Sequence, residues 1–185
     1  GETLRAAFFH VSSIITTTGF ATMDYEVWPT FSKMILVLLT IVGACAGSTG
    51  GGIKVSRLII LLKSIVQEIR KLLHPRVVKN IKFEGRLVDA ETLEGVGMFF
   101  SAYIFLLLGS MLLVSVDGFD LTTTSTSVLT CVGNVGPGFS MVGPAGNFSA
   151  FSPLSKLVLC FDMLAGRLEI FPMLILLAPS TWKKK

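Results

Sequence analysis

Residues 95–116 read GVGMFFSAYIFLLLGSMLLVSV, with no Asp, Glu, Lys or Arg among them. A helix of about 20 mostly apolar residues crosses a hydrocarbon core of about 30 Å, so this stretch identifies the solvent before it identifies the fold. Outward from it, residues 6–23, 34–53 and 121–155 are also free of those four residue types. Charged residues make up only 15% of the 185-residue chain, against about 25% in soluble domains. The chain reads as an all-α, multi-pass protein of the lipid bilayer.

The net charge of +4 does not signal nucleic acid, because of how it is distributed. Of 16 basic residues, nine lie between Lys54 and Arg86 and three are Lys183, Lys184 and Lys185. Such clustering marks loops retained on the cytoplasmic side. Cys45, Cys131 and Cys160 form neither a metal-ligand spacing nor a paired disulfide framework. His10 and His74 are isolated, and no Ser lies in a GxSxG setting, so hydrolase chemistry is not expected. The run Gly47, Ser48, Thr49, Gly50, Gly51, Gly52 misses the phosphate-loop pattern, since Ile53 intervenes before Lys54.

Residues 3–16 read as a short helix capped by Thr3, about 20 Å long and too short to cross the bilayer. A TTTGF turn (16–20) and a polar loop with Trp28-Pro29 follow, then an apolar helix over 31–47 that stops in the glycine run. Helical pattern resumes at VSRLIILLKSIVQEIRKLL (55–73), and a basic loop covers 74–89. Residues 93–116 form the clearest transmembrane helix. Residues 121–140 form a second short segment ending in a glycine turn, residues 139–153 a loop, and residues 154–178 a last long helix. Gly1–Arg5 does not read as a secretory leader, and the chain is expected to belong inside a larger architecture.

This order repeats. Gly19 and Gly136 correspond at an offset of 117, while Phe31-Ser32-Lys33 and Leu154-Ser155-Lys156 correspond at 123, as do Gly43 and Gly166. Internal repeats are common in membrane transport proteins. A half-length helix ending at membrane depth aims its negative end inward and favours cations. Non-helical backbone survives there only within protein or against a water-filled cavity, where its carbonyls can replace a cation's hydration shell. Thr17, Thr18 and Gly19, and Asn134, Val135 and Gly136, stand where such carbonyls are needed. Arg167, deep in an apolar helix and two residues from Glu169, is a costly intramembrane charge and so a functional candidate.

Four motifs, FHVSSIITTTGF (9–20), GACAGSTGGGIKVSR (43–57), GNVGPGFS (133–140) and MLAGRLEIFP (163–172), together resemble the Trk/Ktr/HKT superfamily of potassium transporters, nearest its bacterial TrkH branch. That resemblance implies helix–pore-loop–helix repeats, of which this chain carries the last parts. Residues 1–69 would be the pore helix, filter and broken second helix of repeat three, and residues 70–92 a cytoplasmic loop. Residues 93–178 would be the complete fourth repeat, and residues 179–185 a cytoplasmic tail. The resemblance makes Thr17, Thr18, Gly19 and Phe20, with Asn134, Val135, Gly136 and Pro137, the filter. It makes Gly47, Ser48, Thr49, Gly50, Gly51, Gly52 and Arg167 the gate. It implies K⁺ as transported ion, no covalent cofactor, and a place in a bacterial inner membrane. Its implied partners are the N-terminal half of the same transporter, a second copy, and a cytoplasmic nucleotide-binding ring subunit. The alternative is a membrane-anchored interaction or assembly subunit without its own ion pathway.

The charge pattern makes a topological prediction for the full-length transporter. Asp120→Cys should react with an impermeant maleimide from outside the cell, and Lys82→Cys should not. The reverse labelling would invert the orientation.

Overall fold

The computed structural model describes residues 1–43, 45, 48, 50–74, 81–168 and 175. In chain order the elements are α1 (Glu2–Ile15), α2 (Thr30–Val42), α3 (Val55–Leu73), β1 (Lys82–Phe83), β2 (Arg86–Leu87), α4 (Ala90–Val114), α5 (Leu121–Gly133) and α6 (Pro153–Leu168). Single 3₁₀ turns lie at Tyr25–Val27, Ser115–Asp117 and Ser140–Val142.

Only α4 is long and apolar enough to span a bilayer among the described residues. Its 25 residues rise about 37 Å. Val96, Phe99, Tyr103, Leu107, Ser110 and Val114 recur at steps of three and four and bury one face. The opposite face carries Phe105, Leu108 and Leu112, all exposed and apolar, as a lipid-facing surface requires.

α5 lies at the centre, packed against α4, α6 and α2. Ten of its 13 residues are buried although many are Ser or Thr. Their hydroxyls return to the helix: Thr126 donates to Thr122 O at 2.7 Å, and Thr130 to Thr126 O at 2.8 Å. Asp120 caps its start, accepting from the Thr123 amide at 3.0 Å and from the Thr123 hydroxyl. Those Thr123 donors hold the Asp120 carboxyl below the usual carboxylate range. Asp162 of α6 is fully buried and accepts from Ser110 of α4 at 2.6 Å, tying the two helices together.

The repeat is carried by geometry as well as by order. α2 begins at Thr30 and α6 at Pro153, 123 residues later. At the same offset, the Asp24 carboxylate accepts from Glu26 N and the Asn147 amide oxygen accepts from Ser149 N, both at 2.9 Å. The ammonium of Lys33 reaches Glu26 at 3.0 Å, and that of Lys156 reaches Ser149 O at 2.8 Å.

Several expectations change. Among the described residues the regular structure is helical apart from one small antiparallel hairpin within the basic loop, where Lys82 faces Leu87 and Phe83 faces Arg86. Its turn residues Glu84 (φ 50) and Gly85 (φ 80) both have positive φ, as a two-residue hairpin turn demands. Thr3 lies inside the first turn of α1, whose N-cap is Gly1, so it does not cap. α2 stops at Val42 rather than 47, because Gly43 takes φ 67 and leaves the helix. Its sequence counterpart Gly166 continues α6, so the two glycines share a position but not a backbone state. Of the expected 154–178 helix, residues 169–178 other than 175 lie outside the described residues.

Gly166 is where α6 meets α5: a Cβ there would strike the Val132 carbonyl, with Asn134 Nδ2 2.9 Å away. Gly166→Ala should therefore force the helices apart, at about 1–3 kcal/mol. Thermal unfolding of the purified full-length protein should register a lower midpoint, and an unshifted midpoint would contradict this packing.

Candidate functional site

Two helices of similar length end in the same turn. α1 gives way to Thr17 at φ 55 and Gly19 at φ 77, and α5 to Asn134 at φ 55 and Gly136 at φ 106. In the first, Thr17 N donates to Ile14 O at 3.0 Å and Thr18 N to Ser13 O at 2.9 Å. In the second, Asn134 N donates to Cys131 O at 3.1 Å and Val135 N to Thr130 O at 3.0 Å. Every donor and acceptor shifts by 117 residues. These bonds satisfy carbonyls at the helix ends, as left-handed C-terminal caps do. Among the described residues, no protein donor claims the carbonyls of Thr17, Thr18, Gly19, Asn134, Val135 or Gly136.

The two turns are neighbours. A Cβ on Gly19 would collide with Val135 O and lie 3.1 Å from Pro137 Cδ, so the chains touch at this point. Ile14, Val135 and Phe139 share one small apolar cluster with Tyr25 and Leu36. Phe20, by contrast, is 72% exposed and contributes no packing here. The second turn also walls an open, mostly apolar cavity of about 700 Å³ together with Thr130, Cys160 and Met163.

Below these turns lies the glycine loop. Ile53 N donates to Ile41 O at 3.1 Å and Lys54 N to Val42 O at 2.9 Å, so the chain returns to the end of α2 before α3 begins. Residues 53 and 54 are thereby bonded beside the end of α2. Ser48 and Gly50 to Gly52 are described, with Gly50, Gly51 and Gly52 buried; Gly47 and Thr49 lie outside the described residues. A Cβ on Gly51 would sit 2.6 Å from the carbonyl oxygens of both Val132 and Gly133. Gly166 abuts the same Val132 carbonyl, so the loop and α6 converge on the end of α5. Arg167 follows immediately; its side chain is exposed and has no ion pair or hydrogen bond among the described residues. Glu169 lies outside them.

The sequence did not single out four side chains that support this region. Tyr25 is 2% exposed and donates from its hydroxyl to Gly138 O at 3.1 Å. Burial raises its phenol pKa, with the charges of Glu26 and Asp24 adding to the effect, so the hydroxyl stays protonated as a donor. Glu26 accepts from Ser140 N and pairs with Lys33. His10 is buried, with its ring nitrogens 2.7 Å from Ala6 O and 3.1 Å from Met23 O. Asp162 carried a signal, a carboxylate in an apolar helix; Tyr25 and Glu26 looked like ordinary loop residues.

Comparison with known proteins follows the same lines. The family model described as TrkH, cation transport protein, matches residues 1–184. The chain is 41% identical over 182 residues to the Trk system potassium uptake protein TrkH of Salmonella typhimurium, covering 98% of this chain and 37% of that protein. It is 36% identical over 177 residues to the Trk system potassium uptake protein TrkG of Escherichia coli, covering 96% and 36%. The crystal structure of the potassium transporter TrkH from Vibrio parahaemolyticus superposes with a TM-score of 0.85 at 39% identity, covering 96% of this chain and 38% of that one. The chain thus spans little more than a third of the length of these relatives.

Proposed function

Because the chain belongs to the TrkH family of cation transport proteins, we propose that it supplies two ion-pathway repeats of a K⁺ uptake transporter. The observation that carries this reading is the pair of matched turns with six carbonyls that no donor among the described residues claims. At membrane depth an unpaired carbonyl costs several kcal/mol unless water or an ion completes it. In this reading Thr17, Thr18, Asn134 and Val135 offer oxygens to a dehydrated K⁺. Gly19 and Gly136 supply the positive φ that turns successive carbonyls, and Phe20 and Pro137 close the two filter segments. α1 and α5 act as half-length pore helices whose C-terminal ends favour the cation.

The glycine run 47–52 and Arg167 form the gate in this account; Gly51 and Gly166, the residue before Arg167, both abut the end of α5. At 6 Å and an effective dielectric near 20, a guanidinium repels K⁺ by about 3 kcal/mol, which slows passage roughly a hundredfold. The remaining repeats belong to the rest of the transporter, which works as a dimer in the bacterial inner membrane. A cytoplasmic nucleotide-binding ring subunit docks on the basic loop 70–86. K⁺ is cargo, and the reading needs no covalent cofactor and no enzymatic step. The alternative of an interaction subunit without an ion path leaves the paired turns unexplained.

Two sets of variants of the full-length transporter in proteoliposomes test this. Gly136→Ser should lower the K⁺/Na⁺ flux ratio in a folded protein: a Cβ there meets open space, and only its φ of 106 resists the change. Gly19→Ser should do so with loss of folded yield, since its Cβ also strikes Val135 O. Unchanged ratios in both would sink the filter assignment. Arg167→Ala should raise ⁸⁶Rb⁺ uptake per folded transporter by as much as a hundredfold; wild-type uptake would remove Arg167 from the gate.

A further inference from the structure

The backbone just beyond the second turn is held by the neighbouring repeat. Pro137 has no N–H. The next three amides are all bonded: Gly138 N to Val142 O at 2.7 Å, Phe139 N to Thr126 Oγ1 at 3.1 Å, and Ser140 N to the Glu26 carboxylate. Gly138 O accepts from Tyr25 Oη at 3.1 Å. Two of these anchors therefore come from the loop between α1 and α2. Their own positions are fixed. The Tyr25 ring is wedged edge-on between His10 (centroids 5.6 Å) and Phe139 (5.2 Å), and Glu26 is held by Lys33 and the Asp24 turn. Ser140 sits at φ 59, an angle costly for a non-glycine residue and maintained here by its surroundings.

The arrangement is directional. The first turn is anchored from within its own repeat, by Ser13 Oγ donating to Phe20 O at 2.7 Å and by His10 at Met23 O. At the offset of 123 the counterparts of Tyr25 and Glu26 are Phe148 and Ser149, which lack the hydroxyl and the carboxylate. A second clamp of the same chemistry is absent from the corresponding loop.

We propose that Tyr25 and Glu26 are positioning residues that hold the filter turn of the following repeat across the repeat boundary and thereby set its ion selectivity. This rests on the filter reading above. Selectivity follows from the spacing and stiffness of the carbonyl ring. A strand released at Gly138 and Ser140 lets Val135 and Gly136 relax around a smaller ion. The residues never touch the ion; they act through two backbone positions, Gly138 O and Ser140 N.

The test is the K⁺/Na⁺ flux ratio of the full-length transporter in proteoliposomes, read beside folded yield and thermal midpoint. Tyr25→Phe removes one oxygen and preserves the packed ring. It should lower the ratio about fivefold, equivalent to about 1 kcal/mol or one buried hydrogen bond, with a midpoint near wild type. Glu26→Ala should lower the ratio similarly. Glu26→Gln should restore most of it, because the amide oxygen still accepts from Ser140 N. A Glu26→Gln ratio as low as that of Glu26→Ala would overturn the Ser140 route in favour of the Lys33 ion pair. Should Glu26→Ala fail to fold, Tyr25→Phe decides alone. A wild-type ratio in Tyr25→Phe beside a lowered ratio in Gly136→Ser would overturn the clamp and leave the filter standing. A wild-type ratio in both would overturn the filter and the clamp together.

Discussion

A peptide carbonyl at membrane depth has three possible partners: another protein group, water, or an ion. Lipid offers none, and the rest of this structure follows from that restriction. Where α1 and α5 end, the left-handed residues Thr17 and Asn134 bend the chain so that the amides of residues 17, 18, 134 and 135 satisfy the last carbonyls of each helix. The cost is moved outward, to the next carbonyls, which no described donor reaches. In an ordinary core such groups would be a defect. Here they occur twice, in the same geometry and in contact, and the proposed filter rests on that pairing.

The supporting structure obeys the same restriction. α5 is buried on nearly all sides, and the hydroxyls of Ser125, Thr126, Ser127 and Thr130 bond back to its own carbonyls. Beyond the end of α2, Ile53 and Lys54 return their amides to Ile41 and Val42. Glycines appear where backbones must touch: Gly51 and Gly166 both approach Val132 O, and a side chain at either would separate the loop or α6 from α5. The proposed gate rests on this meeting at the end of one short helix.

Much of this was legible in the sequence, for identifiable reasons. Charge-free windows and glycine clusters are one-dimensional signals, so α4, the two short helices and the break after α2 could be read directly. The correspondence of Gly19 with Gly136 survives as matched hydrogen bonds. The stop at Val42 was misplaced because Gly43 is one of several glycines and only its positive φ marks the end. The hairpin at residues 82–87 was missed because a basic loop hid a Glu-Gly turn. Tyr25 and Glu26 were invisible for a deeper reason. Their partners, Gly138 and Ser140, lie 113 and 114 residues away and are bonded through the backbone, which leaves no residue-type signature.

The central claim is that a K⁺-sized ion rests among the carbonyls of these two turns. The most direct measurement is the anomalous scattering of Rb⁺ in crystals of the full-length transporter. The account predicts an Rb⁺ peak within coordination distance of the Thr17, Thr18, Asn134 and Val135 oxygens, weakened by added K⁺ and little changed by added Na⁺. An Rb⁺ peak elsewhere, with these carbonyls bonded to protein donors instead, would contradict it.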